Sequence, residues 1–359
     1  MIWTTPIHLG SHRVKNRIVF PPISANWAEA DGSVTGRILN FYRDISRGGC
    51  GMTVLSGTAV SRDGKGSDRS LCLFDERHVE GFKRLAGIIR ENGCFASIQL
   101  MHVGGQGNPQ FTGFTPVSPS GLECRATGYG SRALTTDELR EISQKFAASA
   151  GLASRAGFQA VELHLGHGYL LHEFLSEHAN RRRDVYGGSA ENRMRLVLEI
   201  IEGIRQEAPE ILIGTRISGE DYLIDGINRE VNRIMLPILE KAGVEYFSVT
   251  AGVYETSSLK HEAMALGKFF DYARDIKSFV SKPIIGAGKI LGLESAEKHL
   301  TENDCDMVAI GRALVADPFM IEKVKKGELY NRCTECGECQ YLRHHKPEMS
   351  CPQWETRYD

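Results

Sequence analysis

Two histidines and a tyrosine fall within six residues in Val161-Glu162-Leu163-His164-Leu165-Gly166-His167-Gly168-Tyr169-Leu170. A neutral imidazole donates one N–H, and a phenol is uncharged at pH 7 yet can give up a proton. Together His164, His167 and Tyr169 could polarise an oxygen and protonate an atom beside it. The polar, glycine-containing run 180–193 (NRRRDVYGGSAENR) follows. A second reactive set is Cys333, Cys336, Cys339 and Cys351, spaced Cys-x2-Cys-x2-Cys-x11-Cys. Four thiolates at such spacing suit a structural zinc or an iron–sulfur cluster. His344 and His345 lie inside the last interval as substitute ligands. Cys50, Cys72, Cys94, Cys124 and Cys305 are scattered and read as core residues or free thiols.

The His–Tyr stretch needs a buried strand that ends at it, and the chain supplies a series of such strands. Apolar, β-rich runs occur at 17–22, 51–56, 95–101, 160–164, 211–217, 246–250, 283–286 and 307–310. Segments with helical periodicity lie between them, at 75–91, 136–156, 191–207, 228–242, 263–280 and 293–300. Thr136-Asp137-Glu138 marks a helix start, and Gly157 and Gly243 mark helix stops. Residues 7–14 read as a hairpin around Gly10-Ser11. Continuous apolar strands alternating with helices imply a parallel sheet covered by helices. Eight such units in about 300 residues fit a closed (β/α)8 TIM barrel, and no GxGxxG follows the first strand to suggest an open sheet. The expected architecture is therefore an α/β barrel at 1–328, opened by an N-terminal hairpin, with a short cysteine-rich extension at 329–359.

Barrel active sites collect at the strands' C-terminal ends. Those ends carry Pro22 and Ser24, Gly57, Gln99, His164 with His167, Arg216, Thr250, Gly288, and Gly311 with Arg312. The last two loops are glycine-rich, a pattern that offers backbone N–H groups to phosphate. The expected ligand has a phosphate and a large ring system, with Gln99 and Arg216 on its polar edge.

Composition narrows the partners. The chain has 359 residues, 42% hydrophobic and 25% charged, with a formal net charge of −2. That balance gives no reason to expect nucleic acid or an anionic membrane surface. There is no apolar run of about 18 residues and no apolar signal region at the N-terminus. A soluble, cytoplasmic homo-oligomer is expected.

The stretch from His164 to Arg193 resembles the Old Yellow Enzyme family of FMN-dependent ene reductases. NRIVFPPIS, SIQLMHVGG, TRIS, IIGAGKI and MVAIGRALVADP extend the resemblance over essentially the whole chain. The resemblance implies that Pro22, Ser24 and Gly57 lie along FMN, Gln99 and Arg216 hold its pyrimidine edge, and Gly288, Gly311 and Arg312 hold its phosphate. Arg216 would stabilise negative charge on the reduced flavin. Ser24 stands where relatives have threonine or cysteine, so cysteine-type tuning is not expected. His164 and His167 would bond a substrate carbonyl, and Tyr169 would protonate the carbon next to it. The substrate would be an enone or enoyl thioester, with NADH or NADPH as electron donor.

His261-Glu262-Ala263 and the C-terminal cysteines also resemble the 2,4-dienoyl-CoA reductase branch. That resemblance implies a 4Fe–4S cluster on Cys333, Cys336, Cys339 and Cys351, with zinc as the alternative, and His261 assisting Tyr169. The branch has three residues between its second and third cysteines, whereas this chain has two. Its following flavodoxin-like and pyridine-nucleotide domains are not in this sequence, so electrons would come from NAD(P)H or from a partner protein through the cluster. Two other readings stay open: an oxidative dehydrogenase on the same scaffold, and a flavin/iron–sulfur subunit of a larger redox complex. An aldolase-like Schiff-base barrel is disfavoured because Lys260 and Lys289 are expected in loops. Asn26 replaces a frequent pocket aromatic, and Gly105 and Gln106 stand where a basic residue is frequent, so the substrate itself is not transferred.

Overall fold

The apolar runs become strands wherever both of their faces can be covered. A computed structural model describes residues 1–340, 346–354 and 358. Its strands are β1 (Ile7–Leu9), β2 (His12–Val14), β3 (Ile18–Phe20), β4 (Met52–Ala59), β5 (Phe95–Met101), β6 (Val117–Ser118), β7 (Arg132–Ala133), β8 (Ala160–Leu165), β9 (Leu212–Ser218), β10 (Val244–Thr250), β11 (Ile284–Ala287) and β12 (Met307–Ala309). β3, β4, β5, β8, β9, β10, β11 and β12 form a closed barrel in which every neighbouring pair is parallel. The barrel closes where Val308 and Ala309 pair with Ile18 and Val19. All eight barrel strands expected from the sequence are present. All seven residues of β5 and all six of β8 are buried, as helix-covered barrel strands require.

Two apolar layers hold the barrel. The larger lies between the strands and the surrounding helices. The smaller fills the lower interior with Val19, Met52, Val54, Phe95, Ala160, Tyr246, Ile285 and Met307. Leu9 and Val14 of the β1–β2 hairpin join that inner layer, so the hairpin stoppers the barrel at the strands' N-terminal end. Polar chemistry is left to the opposite end.

The helices start on side-chain caps. Thr35, Asp75, Ser189 and Asn228 each accept a backbone N–H of the first turn. Thr135 and Glu138 form a reciprocal capping box. Gly157 and Gly243 stop their helices with φ of +91° and +99°. Two expectations change. The helix expected at 263–280 is two helices, Ser257–Ala265 and Lys268–Lys277, divided where Gly267 takes φ +76°. Lys260, expected in a loop, therefore lies on the first of them.

The described part of 329–359 packs against the barrel. Trp354 and Tyr358 enter the larger apolar layer, with ring centroids 5.7 Å and 6.2 Å from Trp27. Trp354 Nε1 donates to Val315 O at 2.5 Å. Met349 N donates to Ala25 O, and Arg37 pairs with Glu348 at 2.6 Å. Asn26 is an anchor for this segment, because its Nδ2 donates to Pro347 O and to Asp68 Oδ1. His344 and His345 lie outside the described residues. No helix among the described residues is long and apolar enough to cross a membrane.

Candidate active site

β8 carries His164 to the upper end of the barrel, and the turn after it carries His167 and Tyr169. That turn is tight: His167 takes φ +61° and Gly168 takes φ +79°. It is pinned by a parallel bridge from His167 to Val253 and by Gln106 Nε2 donating to His167 O at 2.8 Å. The side chains then form a chain. His167 Nδ1 meets His164 Nε2 at 3.2 Å, and His167 Nε2 meets Thr250 Oγ1 at 2.9 Å. His164 Nδ1 is buried without a hydrogen-bond partner. Burial holds both imidazoles well below their ordinary pKa, reinforced chiefly by Arg216 at His164 and by Lys260 at His167. Both are therefore neutral at pH 7 and present N–H donors without positive charge.

Tyr169 packs its ring edge-on against His164, with centroids 5.0 Å apart. Its hydroxyl lies 3.1 Å from that of Tyr254, and the two rings stack at 6.1 Å. Tyr254, which the sequence did not single out, therefore stands beside Tyr169 at its hydroxyl. His261 sits one helical turn past Ser257, with Nδ1 2.5 Å from Ser257 O. Lys260, its neighbour, lines the wider cavity together with Met264 of the same helix. The ladder partner Val253 was the only local signal for Tyr254, and pairing is not visible in one sequence.

Facing the histidines are Gln99 on β5 and Arg216 on β9, in a cavity of about 110 Å³ also lined by Pro22, Ser24, Gly57 and Tyr169. Gln99 Nε2 donates to Glu162 Oε1 at 2.7 Å, which leaves its own carbonyl oxygen as an acceptor. A Cβ added to Gly57 would stand 2.6 Å from Met101 Sδ and 3.4 Å from Gln99 Oε1, so only glycine keeps that wall flat. Arg216 Nη1 lies 3.3 Å from Ser248 Oγ. Burial lowers the Arg216 pKa and the Glu162 carboxylate opposes that shift.

A second cavity, of about 370 Å³, shares Pro22, His167 and Arg216 with the first and runs on to Gly288, Gly311 and Arg312. Gly288 takes φ +151°, a conformation that disfavours side chains, and a Cβ there would meet Phe269 at 3.0 Å. Lys260 lines this space, and burial, aided by Arg216, brings its ammonium pKa down to about 8. The joined cavities thus have a narrow polar end at Gln99 and Arg216 and a cationic, glycine-lined end at Arg312. They fit a flat ring system carrying a phosphate, with unpartnered Glu162 Oε2 and His164 Nδ1 buried beside them. A third cavity, of about 530 Å³, lies beyond Tyr254 and is lined by Gln106, Cys124, His172, Glu173 and Arg181. His172 is held there by Asp221 at 3.1 Å, a buried structural pair.

The cysteine segment approaches the phosphate-like end. Cys339 lines the second cavity, and Glu335 pairs with Lys289 at 3.1 Å and with Arg312 at 3.7 Å. The Cys339 thiol is pushed up to about 11, first by burial and then by Cys333, with Cys351 and Cys336 contributing. The four thiols are therefore electrostatic neighbours. No three of them place their sulfurs within 4.8 Å of one another.

The sequence profile of the NADH:flavin oxidoreductase / NADH oxidase family matches residues 4–331. The chain is 38% identical to an NADH oxidase of Thermoanaerobacter brockii, over 92% of this chain and 52% of that protein. It is 34% identical to an NADPH dehydrogenase of Clostridium acetobutylicum, over 86% of this chain and 90% of that protein. A structure of 2-naphthoyl-CoA reductase with 2-naphthoyl-CoA superposes with a TM-score of 0.93 at 28% identity, covering 100% of this chain and 58% of that one. The chain spans about half the length of the longer curated relatives it matches. Barrel, strand-end constellation and sequence agree: this chain belongs to the NADH:flavin oxidoreductase / NADH oxidase family, the Old Yellow Enzyme type of oxidoreductase.

Proposed function

We propose that the chain holds FMN in the two joined cavities and reduces a C=C bond conjugated to a carbonyl. The single observation that carries this reading is the convergence of neutral His164 and His167, Tyr169, Gln99 and Arg216 on one cavity. When bound, FMN supplies the hydride. Gln99 and Arg216 would hold its pyrimidine edge, Pro22, Ser24 and Gly57 its flank, and Gly288, Gly311 and Arg312 its phosphate.

The protein's own groups then divide the work. His164 and His167 donate hydrogen bonds to the substrate carbonyl, which draws electrons from the conjugated bond and makes its far carbon an acceptor. Being neutral, they polarise the oxygen without protonating it in the ground state. Tyr169 gives its proton to the carbon beside the carbonyl, and Tyr254, 3.1 Å away, accepts or relays charge at the phenol oxygen. NADH or NADPH is the proposed electron donor, with a partner protein as the second source. Cys333, Cys336, Cys339 and Cys351 are proposed to carry a 4Fe–4S cluster. Zinc is the alternative, since four thiolates also suit a tetrahedral site. Residues 1–328 would be the flavin barrel and 329–359 the cluster segment.

The test uses the purified chain. It should retain or take up FMN, become reduced by NAD(P)H or dithionite, and be reoxidised by a cyclic enone. Tyr169→Phe should slow reoxidation about 10²- to 10⁴-fold while leaving flavin reduction intact. A chain that binds no FMN, or a Tyr169→Phe variant reoxidised at the wild-type rate, would sink the reading. Iron, sulfide and zinc analysis of the same sample decides the cluster.

A further inference from the structure

Beneath the cavity floor is a carboxyl that the mechanism above does not use. Glu162 lies midway along β8 and is fully buried. Its backbone pairs with Gln99 on β5 and with Gly214 on β9. One oxygen, Oε1, accepts from Gln99 Nε2 at 2.7 Å, and the other, Oε2, has no hydrogen-bond partner. From β10, Tyr246 reaches across the barrel because Gly214 has no side chain: a Cβ there would stand 2.0 Å from the tyrosine ring. Its hydroxyl is shared with Ser97 Oγ of β5 at 2.9 Å. From β9, Arg216 is the cation that acts on the carboxyl, and no ion pair within 4.0 Å joins them. His164, two residues on along the same strand, is held neutral. Glu162 is therefore a buried acid with one close neutral donor in Gln99, a second and weaker one in the Tyr246 hydroxyl, and one cation at a distance.

That arrangement is poised between charge states. Burial pushes the carboxyl up to about 7, against the opposing pull of Arg216, of Gln99 and of the Tyr246 hydroxyl. Arg216 also lines the cavity above, as does Gln99. Any negative charge that settles on Arg216 from above takes away part of the one cationic field that keeps Glu162 ionised. Oε2 is the oxygen on which a proton can sit, since Gln99 already holds Oε1 and no donor lies within 3.5 Å of Oε2.

We propose that Glu162 is a positioning residue that takes up a proton on Oε2 when negative charge appears at the Gln99–Arg216 end of the cavity, and releases it when that charge leaves. The inference rests on the flavin reading above. Two-electron reduction of bound FMN leaves one negative charge at its pyrimidine edge. Glu162 takes one proton from water and becomes a carboxylic acid, so the buried region keeps its net charge. The Glu162–Gln99 bond persists in both states, which keeps the Gln99 carbonyl aimed into the cavity. Below pH about 7 the acid is already protonated and no extra proton is taken up. Above it, reduction and protonation are linked.

The test is the reduction potential of the FMN-loaded chain from pH 6 to 9, for wild type and Glu162→Gln. Above pH about 7 the wild-type potential should fall more steeply than the variant's by one proton per two electrons. That is tenfold per pH unit in the two-electron constant, or about 30 mV. Parallel lines for the two proteins would overturn the inference. A second measurement needs only wild type: the reduced-minus-oxidised infrared spectrum at pH 8 should gain a carboxylic-acid C=O band that shifts in D2O. Its absence would overturn the inference even if the variant fails to fold. A chain that binds no FMN overturns the functional reading and this inference together, whereas bound FMN without linked protonation overturns this inference alone.

Discussion

Lys260 shows how one side chain can matter and stay illegible. In the sequence it is a lysine beside a more conspicuous histidine, His261, and nothing in the spacing favours it. In space it lines the wider cavity with Arg216 and Arg312, and burial lowers its pKa to about 8. An anion entering that cavity favours the protonated lysine and raises its pKa further. Affinity for FMN should therefore be steady from pH 7 to 8 and weaken above pH about 8, by at most about tenfold per pH unit while the free lysine is neutral and the bound one charged. Lys260→Met should bind more weakly at pH 7 and lose this pH dependence. Fluorescence titration of FMN against both proteins at a series of pH values checks it; equal slopes would remove Lys260 from the site. Tyr254 was hidden for a related reason. His164, His167 and Tyr169 were legible because they share one strand end. Tyr254 joins them through its contact with Tyr169 and the neighbouring His167–Val253 bridge, which bring together loops far apart in the chain.

At the scale of elements, strands were easier to foresee than helices. A barrel strand buried on both faces reads as an unbroken apolar run, and all eight did. Helices carry only a stripe, and a stripe can hide its own interruption. Phe269, Phe270, Ala273 and Ile276 continue the apolar pattern begun at Ala263, so the break at Gly267 was masked. The helix Gly36–Arg47 was not foreseen, although Thr35 caps it and Ile38, Leu39, Tyr42 and Ile45 form its buried face. Inside the barrel, glycine marks a packing need rather than a turn. Gly214 is in regular β9, yet its missing side chain is what admits the Tyr246 ring. Gly214→Ala should overpack the interior and lower stability by about 1–3 kcal/mol. It should also displace Tyr246 from Ser97 and disturb Glu162. Urea unfolding, followed by near-ultraviolet dichroism of the buried tyrosine, measures both; an unchanged midpoint would mean that the barrel breathes enough to absorb the methyl group.

For the whole molecule, the question is whether barrel and cysteine segment behave as one unit. The composition changes sharply near residue 329, which in the sequence looked like a boundary. The packing crosses that boundary. Trp354 is buried against Trp27, Phe41 and Tyr358, and its indole N–H is taken up by Val315 O of the short helix Arg312–Ala316. That helix begins at Arg312, which the flavin reading places on the phosphate. One aromatic side chain thus links the cysteine segment, a barrel helix and the ligand-binding end. Trp354→Ala removes a large buried ring and leaves the Val315 carbonyl without its donor, at a cost of about 3–5 kcal/mol. If the parts are coupled as the packing implies, that cost is felt everywhere. The barrel's far-ultraviolet signal, the visible absorbance of bound cofactors and the release of FMN should all shift to lower temperature together, in wild type and variant alike. Loss of absorbance from the proposed cluster well before an unaltered barrel transition would show instead that residues 329–359 are an independent appendage, and that Trp354 covers the barrel without coupling to it.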